Sequence, residues 1–152
     1  TPESINVSDL LQSLHQQYEK SARDRKLELN LDLGHSLGSV MTSRLYLEEL
    51  LQNFITNAIK YTNEGSVTII GRRSKNIVTF TVKDTGIGIS RTDQNKVFNK
   101  FYRSEDYRIR ETNGTGLGLY VSTKLAHKLH TRIELKSRLN HGSSFSFQLE
   151  GE

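Results

Sequence analysis

The sequence predicts an α/β fold, and three observations lead to that prediction. Apolar residues recur at helical spacing in long segments, they alternate with polar residues in short segments, and segments of both kinds occur along the chain. The length of 152 residues fits one domain, so we expect residues 1–152 to form a single unit.

Composition excludes several classes of protein. No apolar run approaches the ~18 residues that a membrane span needs. The chain has no cysteine, which rules out disulfides, thiolate metal sites and cysteine nucleophiles. The 21 Lys and Arg outweigh the 17 Asp and Glu by +4, a balance that favours anionic partners without singling out nucleic acid. The start, Thr1-Pro2-Glu3, has no signal features, and we expect it to be a cut inside a longer protein.

The first third of the chain is predicted to hold a helix and two strands. Residues 4–7 are expected to be extended, and Ser8 or Asp9 is expected to cap a helix that ends near residue 24. Four leucines alternate with polar residues over 26–33, which predicts a half-buried strand. A loop over 34–38 and a short strand at 40–41 follow.

A long helix is predicted from an N-cap at Ser43 to a last residue near Tyr61. Its apolar residues fall on one arc, and a separate polar stripe runs beside them. The stripe consists of Glu49, Asn53, Asn57 and Lys60.

The remaining elements follow from the same patterns. A turn is expected at 63–65, then strands over 66–72 and 77–83 joined by a turn at 73–76. A glycine-rich segment at 84–90 precedes a short helix over 91–98. Residues 102–113 lack periodicity and are predicted to form a loop of the kind that often acts as a lid. Residues 114–118 are expected to open a helix that ends near 129, followed by strands over 132–136 and 143–149.

Two amides on the polar stripe suggest a binding function. Asn is a poor helix former, up to ~0.7 kcal/mol worse than Ala, so Asn53 and Asn57 one turn apart require a reason. An amide oxygen can ligate a hard cation while its nitrogen donates to phosphate, and Lys60 would add a positive charge. An ordinary solvated helix face is the alternative explanation of the stripe.

Two glycine-rich segments are candidates for ligand contact. In the first, Asp84 ends a strand, where its carboxylate can accept from an exocyclic amine, and Gly86 and Gly88 allow the backbone to approach a flat ring. In the second, at 114–118, backbone N–H groups at a helix start can bind anions. The second segment is neither a dinucleotide fingerprint nor a P-loop, because it follows a polar loop and lacks the Gly-Lys-Ser/Thr ending. A turn is the alternative explanation of the first segment.

The fourth candidate group lies just before and within the predicted lid. Phe98 and Phe101 are three residues apart and could pin the lid to the core. Arg103, with Arg108 and Arg110, could reach a triphosphate, although a solvated basic loop also explains these residues.

Taken together, the four groups resemble the catalytic, ATP-binding domain of sensor histidine kinases, in the GHKL ATPase superfamily. Residues 53–62 (Asn-Phe-Ile-Thr-Asn-Ala-Ile-Lys-Tyr-Thr) are similar to the N box and residues 84–89 to the G1 box. Residues 98–103 are similar to the F box and residues 114–119 to the G2 box. The resemblance covers essentially the whole chain and implies a two-layer α/β sandwich, in which a mixed sheet of about five strands carries three main helices on one face.

The resemblance also implies roles for individual residues. Asn57 would ligate Mg²⁺ with Asn53 beside it, Lys60 would touch phosphate, and Asp84 would accept from the adenine amino group. The catalytic residues would be Asn53, Lys60 and Arg103. The other residues expected to contact ATP or ADP are Tyr61, Gly86, Gly88, Ile89, Phe101, Gly114, Thr115, Gly116, Leu117 and Gly118.

The reaction implied by the resemblance is phosphate transfer to a histidine. Gyrase-type relatives carry a water-activating Glu where this chain has Asn53, and an amide is no general base, so hydrolysis should be slow. None of the five histidines precedes an acidic residue and a proline, the context of a phosphoacceptor. We therefore expect the acceptor in a dimerising helical domain upstream.

The resemblance implies further partners and leaves two alternatives. A response regulator is expected downstream and no nucleic acid is expected. The isolated domain should be monomeric and cytoplasmic, within a homodimeric parent that is compatible with membrane anchoring. The alternatives are an anti-sigma-type serine kinase and a nucleotide-binding module without phosphotransfer.

Overall fold

A computed structural model describes residues 1–99 and 119–152. In chain order these residues form β1 (Glu3–Asn6), α1 (Val7–Asp24), β2 (Glu28–Leu33), β3 (Ser39–Thr42), α2 (Arg44–Lys60), β4 (Ser66–Ser74), β5 (Ile77–Asp84), α3 (Arg91–Gln94), α4 (Tyr120–Lys128), β6 (Glu134–Arg138) and β7 (Gly142–Glu150). Among these helices, none is long and apolar enough to cross a membrane.

Five strands form a mixed sheet in the order β2-β4-β5-β7-β6. β2 runs parallel to β4, while the other neighbours in this sheet pair antiparallel. β1 and β3 form a separate two-stranded antiparallel sheet that the sequence did not predict, because the pairing joins segments more than 30 residues apart. The predicted mixed sheet of about five strands is confirmed.

The core lies on one face of the sheet, between the strands and the helices. Phe80 stacks on Phe147 with ring centroids 5.0 Å apart, and Phe54 of α2 stacks on Phe145 at 5.2 Å. Aromatic pairs of this kind add to the free energy gained from burying their area. α1 and α2 pack against the sheet and α4 packs against α2. The opposite face carries half-exposed polar residues such as Thr68, Thr81 and Ser144, so residues 1–99 and 119–152 form a two-layer sandwich with one open face.

Two helix caps show how local chemistry sets the boundaries. Ser43 caps α2 as predicted, since its hydroxyl accepts from the backbone N–H of Tyr46 at 3.3 Å. The prediction that Ser8 or Asp9 caps α1 was wrong. Asn6 caps it, with Oδ1 accepting from the backbone N–H of Asp9 at 2.9 Å. The helix begins this early because β1 pairs with β3 up to Asn6 and α1 follows without a loop.

Several strand boundaries differ from their predictions by one or two residues. β2 begins at Glu28 because Lys26 has a positive φ of 59° and still belongs to the turn after α1. The turn predicted at 73–76 is shorter, since β4 continues to Ser74 and pairs it with Ile77. β6 begins two residues later than predicted because Thr131 N–H bonds back to the carbonyl of Ala126 and completes the end of α4.

Two helix predictions are confirmed only in part. α3 stops at Gln94 rather than residue 98, because the Gln94 side chain is held by the carbonyls of Ile89 and Ser137 and the chain then turns. The described part of the predicted 114–129 helix is α4, with Leu129 as its C-cap. The predicted lid at 102–113 lies outside the described residues.

Candidate functional site

The candidate site is a cleft between α2, the loop after β5 and the start of β7. The structure brings five of the predicted site residues into its lining, from two segments of the chain that are distant in sequence. These residues are Asn57, Tyr61, Asp84, Gly88 and Ile89. Their convergence follows from the packing of α2 over β5, which no single motif encodes.

Asp84 is the acidic side chain in the described lining of this cleft and is only 7% exposed. Its Oδ1 accepts from the backbone N–H of Gly86 at 2.8 Å and from that of Ser143 at 3.2 Å. Burial raises the pKa of Asp84 to about 6, and the two backbone N–H groups oppose that rise by stabilising the carboxylate. Both hydrogen bonds from the described residues go to Oδ1, which leaves Oδ2 as an acceptor for a ligand.

The loop after β5 requires glycine at two positions. A Cβ on Gly86 would lie 2.3 Å from the carbonyl oxygen of Tyr61, so only a hydrogen fits there. Gly88 has a φ of +68°, and a Cβ would lie 2.1 Å from the carbonyl oxygen of Arg138. The loop therefore lies directly against the end of α2 on one side and the β6–β7 hairpin on the other.

The β6–β7 hairpin fixes this loop through polar contacts. The Ser137 hydroxyl accepts from the backbone N–H of Ile89 at 2.8 Å and lies 2.7 Å from the Ser143 hydroxyl. The backbone N–H of Asn140 donates to the carbonyl of Ile87. The hairpin thus positions both the loop backbone and the Ser143 N–H that binds Asp84.

The polar stripe of α2 reaches the cleft at one residue. Asn57 is half-buried and lines the cleft. It lies one turn before Tyr61, whose ring is buried and whose backbone N–H donates to the Asn57 carbonyl. Asn53 and Lys60 are half-exposed on α2 and do not line this cleft. They lie one turn before and one turn after Asn57.

Several predicted site residues lie outside the described part of the chain. These are Phe101, Arg103, Gly114, Thr115, Gly116, Leu117 and Gly118. Their assignments therefore stay predictions.

The cleft also contains residues to which the sequence assigned no site role: Ala58, Ile87, Ser143 and Phe145. Ala58 and Phe145 supply apolar walls, and Ser143 supplies the second donor to Asp84. The pattern Gly142-Ser143-Ser144-Phe145 was visible in the sequence. Its place beside Asp84 depends on the pairing of β7 with β5, for which the sequence carries no local signal.

The chemistry of the cleft suits a flat, largely apolar ligand that carries a hydrogen-bond donor. Ile87, Ile89 and Phe145 would pack against its faces, and Asp84 Oδ2 would accept from its edge. In residues 1–99 and 119–152 no three His, Cys, Asp or Glu side chains cluster as metal ligands. A hard cation held near Asn57 would take its other ligands from water or from the oxygens of a bound ligand.

Comparison with known families gives a match over most of the chain. The family described as "Histidine kinase-, DNA gyrase B-, and HSP90-like ATPase" matches residues 42–152. The histidine protein kinase SaeS of Staphylococcus epidermidis is 30% identical over 151 residues, which cover 97% of this chain and 43% of SaeS. The SaeS protein of Staphylococcus aureus has the same identity and coverage. The chain therefore spans less than half the length of these curated relatives.

Solved structures share the fold at low sequence identity. Full-length ShkA in complex with AMPPNP superposes with a TM-score of 0.85 at 23% identity, covering 98% of this chain and 31% of ShkA. A nucleotide-free catalytic domain of histidine kinase ThkA gives 0.84 at 22% identity, covering 99% of this chain and 95% of that domain. ThkA in complex with the response regulator protein TrrA gives 0.80 at 20% identity, covering 99% of this chain and 42% of ThkA. These likenesses confirm the two-layer fold.

Proposed function

This chain belongs to the family of histidine kinase-, DNA gyrase B- and HSP90-like ATPases, and from that premise we propose that it is the ATP-binding catalytic domain of a two-component sensor kinase. It would bind Mg-ATP and donate the γ-phosphate to a histidine on a separate dimerisation domain of the same protein. A response regulator would receive the phosphate next, a partner suggested by the complex of ThkA with the response regulator protein TrrA. The parent would be a homodimer whose catalytic domains lie in the cytoplasm.

The observation that carries this proposal is the hydrogen bonding of Asp84. Because Gly86 and Ser143 both donate to Oδ1, the carboxylate is fixed in one orientation, with Oδ2 as the acceptor for the cleft. An adenine amino group is a donor of the required kind. The apolar side chains of Ile87 and Ile89 would contact the ring.

The amides of α2 suit the phosphate end of the nucleotide. Asn57 would hold Mg²⁺ through its amide oxygen, and the ion when bound would neutralise phosphate charge. Lys60, a turn further along the same helix, would add a positive charge for the phosphates, and Arg103 is proposed to do so from outside the described residues. Gly114, Gly116 and Gly118 are proposed to wrap the phosphates with backbone N–H groups.

An amide rather than a carboxylate at position 53 favours transfer over hydrolysis. Asn53 stands where a water-activating Glu would be needed, and its amide cannot take a proton at neutral pH. Positioning and charge neutralisation would then do most of the catalytic work while ATP waits for the histidine nucleophile.

Calorimetry with an Asp84→Asn variant tests the proposal. The amide oxygen of the introduced Asn side chain must still accept from the two backbone N–H groups. The NH₂ group of the amide then points toward the cleft, where it faces the adenine amino group. Both groups are donors, so no hydrogen bond forms between them. We expect Mg-ADP to bind the wild type and to bind the variant about 100-fold more weakly, by analogy with the cost of an unpaired buried polar group. Folding should survive, and Asp32→Asn on the open face of β2 serves as the matched control. No binding heat from the wild type at millimolar Mg-ADP would overturn the proposal, and unfolding of the variant would make Asp84 structural.

A further inference from the structure

The outer face of the sheet carries a row of cations directly behind the candidate site. Strand register aligns Lys83 of β5, Ser144 of β7 and Lys136 of β6 as neighbours in one row. Alternation along β5 turns Lys83 outward, whereas Asp84 is buried on the inner face. Arg138 is two residues beyond Lys136 on the same face of β6, and His141 follows in the hairpin turn. We call Lys83, Lys136, Arg138 and His141, together with Ser144, the outer basic cleft.

The charges of this cleft are poorly compensated by the protein. Among the described residues, Lys83 and Arg138 form no ion pair, and Lys136 meets only Glu134 at 3.5 Å. Both partners of that pair are more than 60% exposed, so it adds little. Asp84, the one acid among the described residues that line the cleft, directs its carboxylate to the inner face. The cleft therefore presents cations and a hydroxyl donor to solvent.

The spacing suits one multivalent anion. Neighbouring strands lie about 4.8 Å apart, so Lys83 and Lys136 flank Ser144 at a backbone separation of roughly 10 Å. Their flexible stems allow both ammonium groups to reach an anion placed over the Ser144 hydroxyl, and the Arg138 guanidinium can add a two-pronged contact. Phosphate offers several charged oxygens to such a set, whereas a single carboxylate offers one charge.

We propose that the outer basic cleft is a binding site for a phosphate-bearing anion, distinct from the candidate nucleotide site on the inner face. The ligand class is a small phosphate compound such as a pyrophosphate or a phospholipid headgroup. The proposal does not depend on the proposed kinase function, because its evidence and its test concern the outer face alone.

The test is a titration of the nucleotide-free domain with pyrophosphate, followed by the backbone amide NMR shifts of Lys83, Ser144 and Lys136. We expect saturable shifts there. The Lys83→Gln, Lys136→Gln double variant should raise the apparent Kd about 10-fold or more, a loss of at least about 1.4 kcal/mol. The control pair Lys20→Gln and Arg23→Gln on α1 removes the same charge and should leave Kd within about 2-fold.

Two further arms identify the ligand. Vesicles of phosphatidylcholine with and without phosphatidylglycerol test for a headgroup, and citrate tests whether carboxylates serve equally. Binding of pyrophosphate without binding of anionic vesicles supports the proposal and indicates a small phosphate compound. Binding of anionic vesicles with the same dependence on Lys83 and Lys136 supports the proposal and indicates a phospholipid headgroup. Citrate binding as tight as pyrophosphate, an equal loss in the α1 control, or shifts that never saturate would overturn it. If the double variant does not fold, the apparent Kd for pyrophosphate is measured for the Lys83→Gln and Lys136→Gln single variants instead. We expect each to raise Kd about 3-fold.

Discussion

Asp84 faces opposing demands, because burial favours its neutral form whereas acceptance of a donor requires its charged form. The pKa of about 6 lies above the ordinary 3.8, so between these values the folded chain holds a proton that the unfolded chain has lost. Stability from this group is therefore present below pH 3.8 and is lost as pH rises through about 6. The loss amounts to at most about 3 kcal/mol.

This sign gives a testable pH dependence. Relative to Asp84→Asn, the wild type should lose free energy of unfolding between about pH 4 and 7, while its affinity for Mg-ADP should rise over the same range. Urea unfolding and calorimetry at matched pH values measure both quantities for the wild type and the variant, and the two trends are the differences between them. If stability and Mg-ADP affinity instead changed in the same direction with pH, the expectation that burial and ligand acceptance make opposite demands on Asp84 would be wrong.

Gly86 tests how closely the loop approaches α2. A Cβ in Gly86→Ala would lie 2.3 Å from the Tyr61 carbonyl, which is backbone and cannot rotate away. We expect a loss of roughly 2 kcal/mol or more in the free energy of unfolding, together with weaker Mg-ADP binding. Gly34→Ala is the control, because the Cβ contacts there are 3.2 Å or longer and begin with a flexible Arg72 side chain. Equal effects of the two substitutions in urea unfolding would show that the loop can move aside.

At the scale of elements, the β6–β7 hairpin supports the site from behind. Ser137 accepts from Ile89 N–H and donates to the Gly142 carbonyl at 3.0 Å, so Ser137→Ala leaves two backbone groups without this partner. We expect a loss of about 1–3 kcal/mol in stability and a matching weakening of Mg-ADP binding. Ser146→Ala on the open face of β7 should change neither by more than about 0.5 kcal/mol. Unchanged ADP affinity in the Ser137→Ala variant would show that this hairpin contact does not support the site.

Elements with strong local signals were predictable, and those set by pairing were not. The Ser43 cap and the apolar arc of α2 depend on residues within a few turns, so their prediction is confirmed. β1 pairs with β3 across the whole of α1, and β6 starts late because Thr131 bonds back to α4. No periodicity within either strand encodes these contacts, because each is made to another element.

At the scale of the whole molecule, the site residues also divide into those that a local motif predicted and those that only the pairing of strands brings to the site. Asn57 and Asp84 were predicted from their motifs, and the structure places both in one cleft. Ser143 and Phe145 were assigned no role, since they reach the cleft only through the order β5-β7 in the sheet. The outer basic cleft was missed for the same reason, because Lys83 and Lys136 are neighbours only through β7.

The absence of a phosphoacceptor motif gives a prediction for the whole chain. His15 lies 2.7 Å from the Leu29 carbonyl and serves the fold, and none of the other four histidines is followed by an acidic residue. Incubated alone with ATP labelled at the γ-phosphate, the domain should acquire no acid-labile label. An added dimerisation segment from the same parent protein should become labelled, and Asp84→Asn should suppress that labelling while Asp32→Asn should not. Label on the domain alone would place an acceptor within these 152 residues, and an unlabelled segment despite measurable ADP binding would leave a nucleotide-binding module without phosphotransfer.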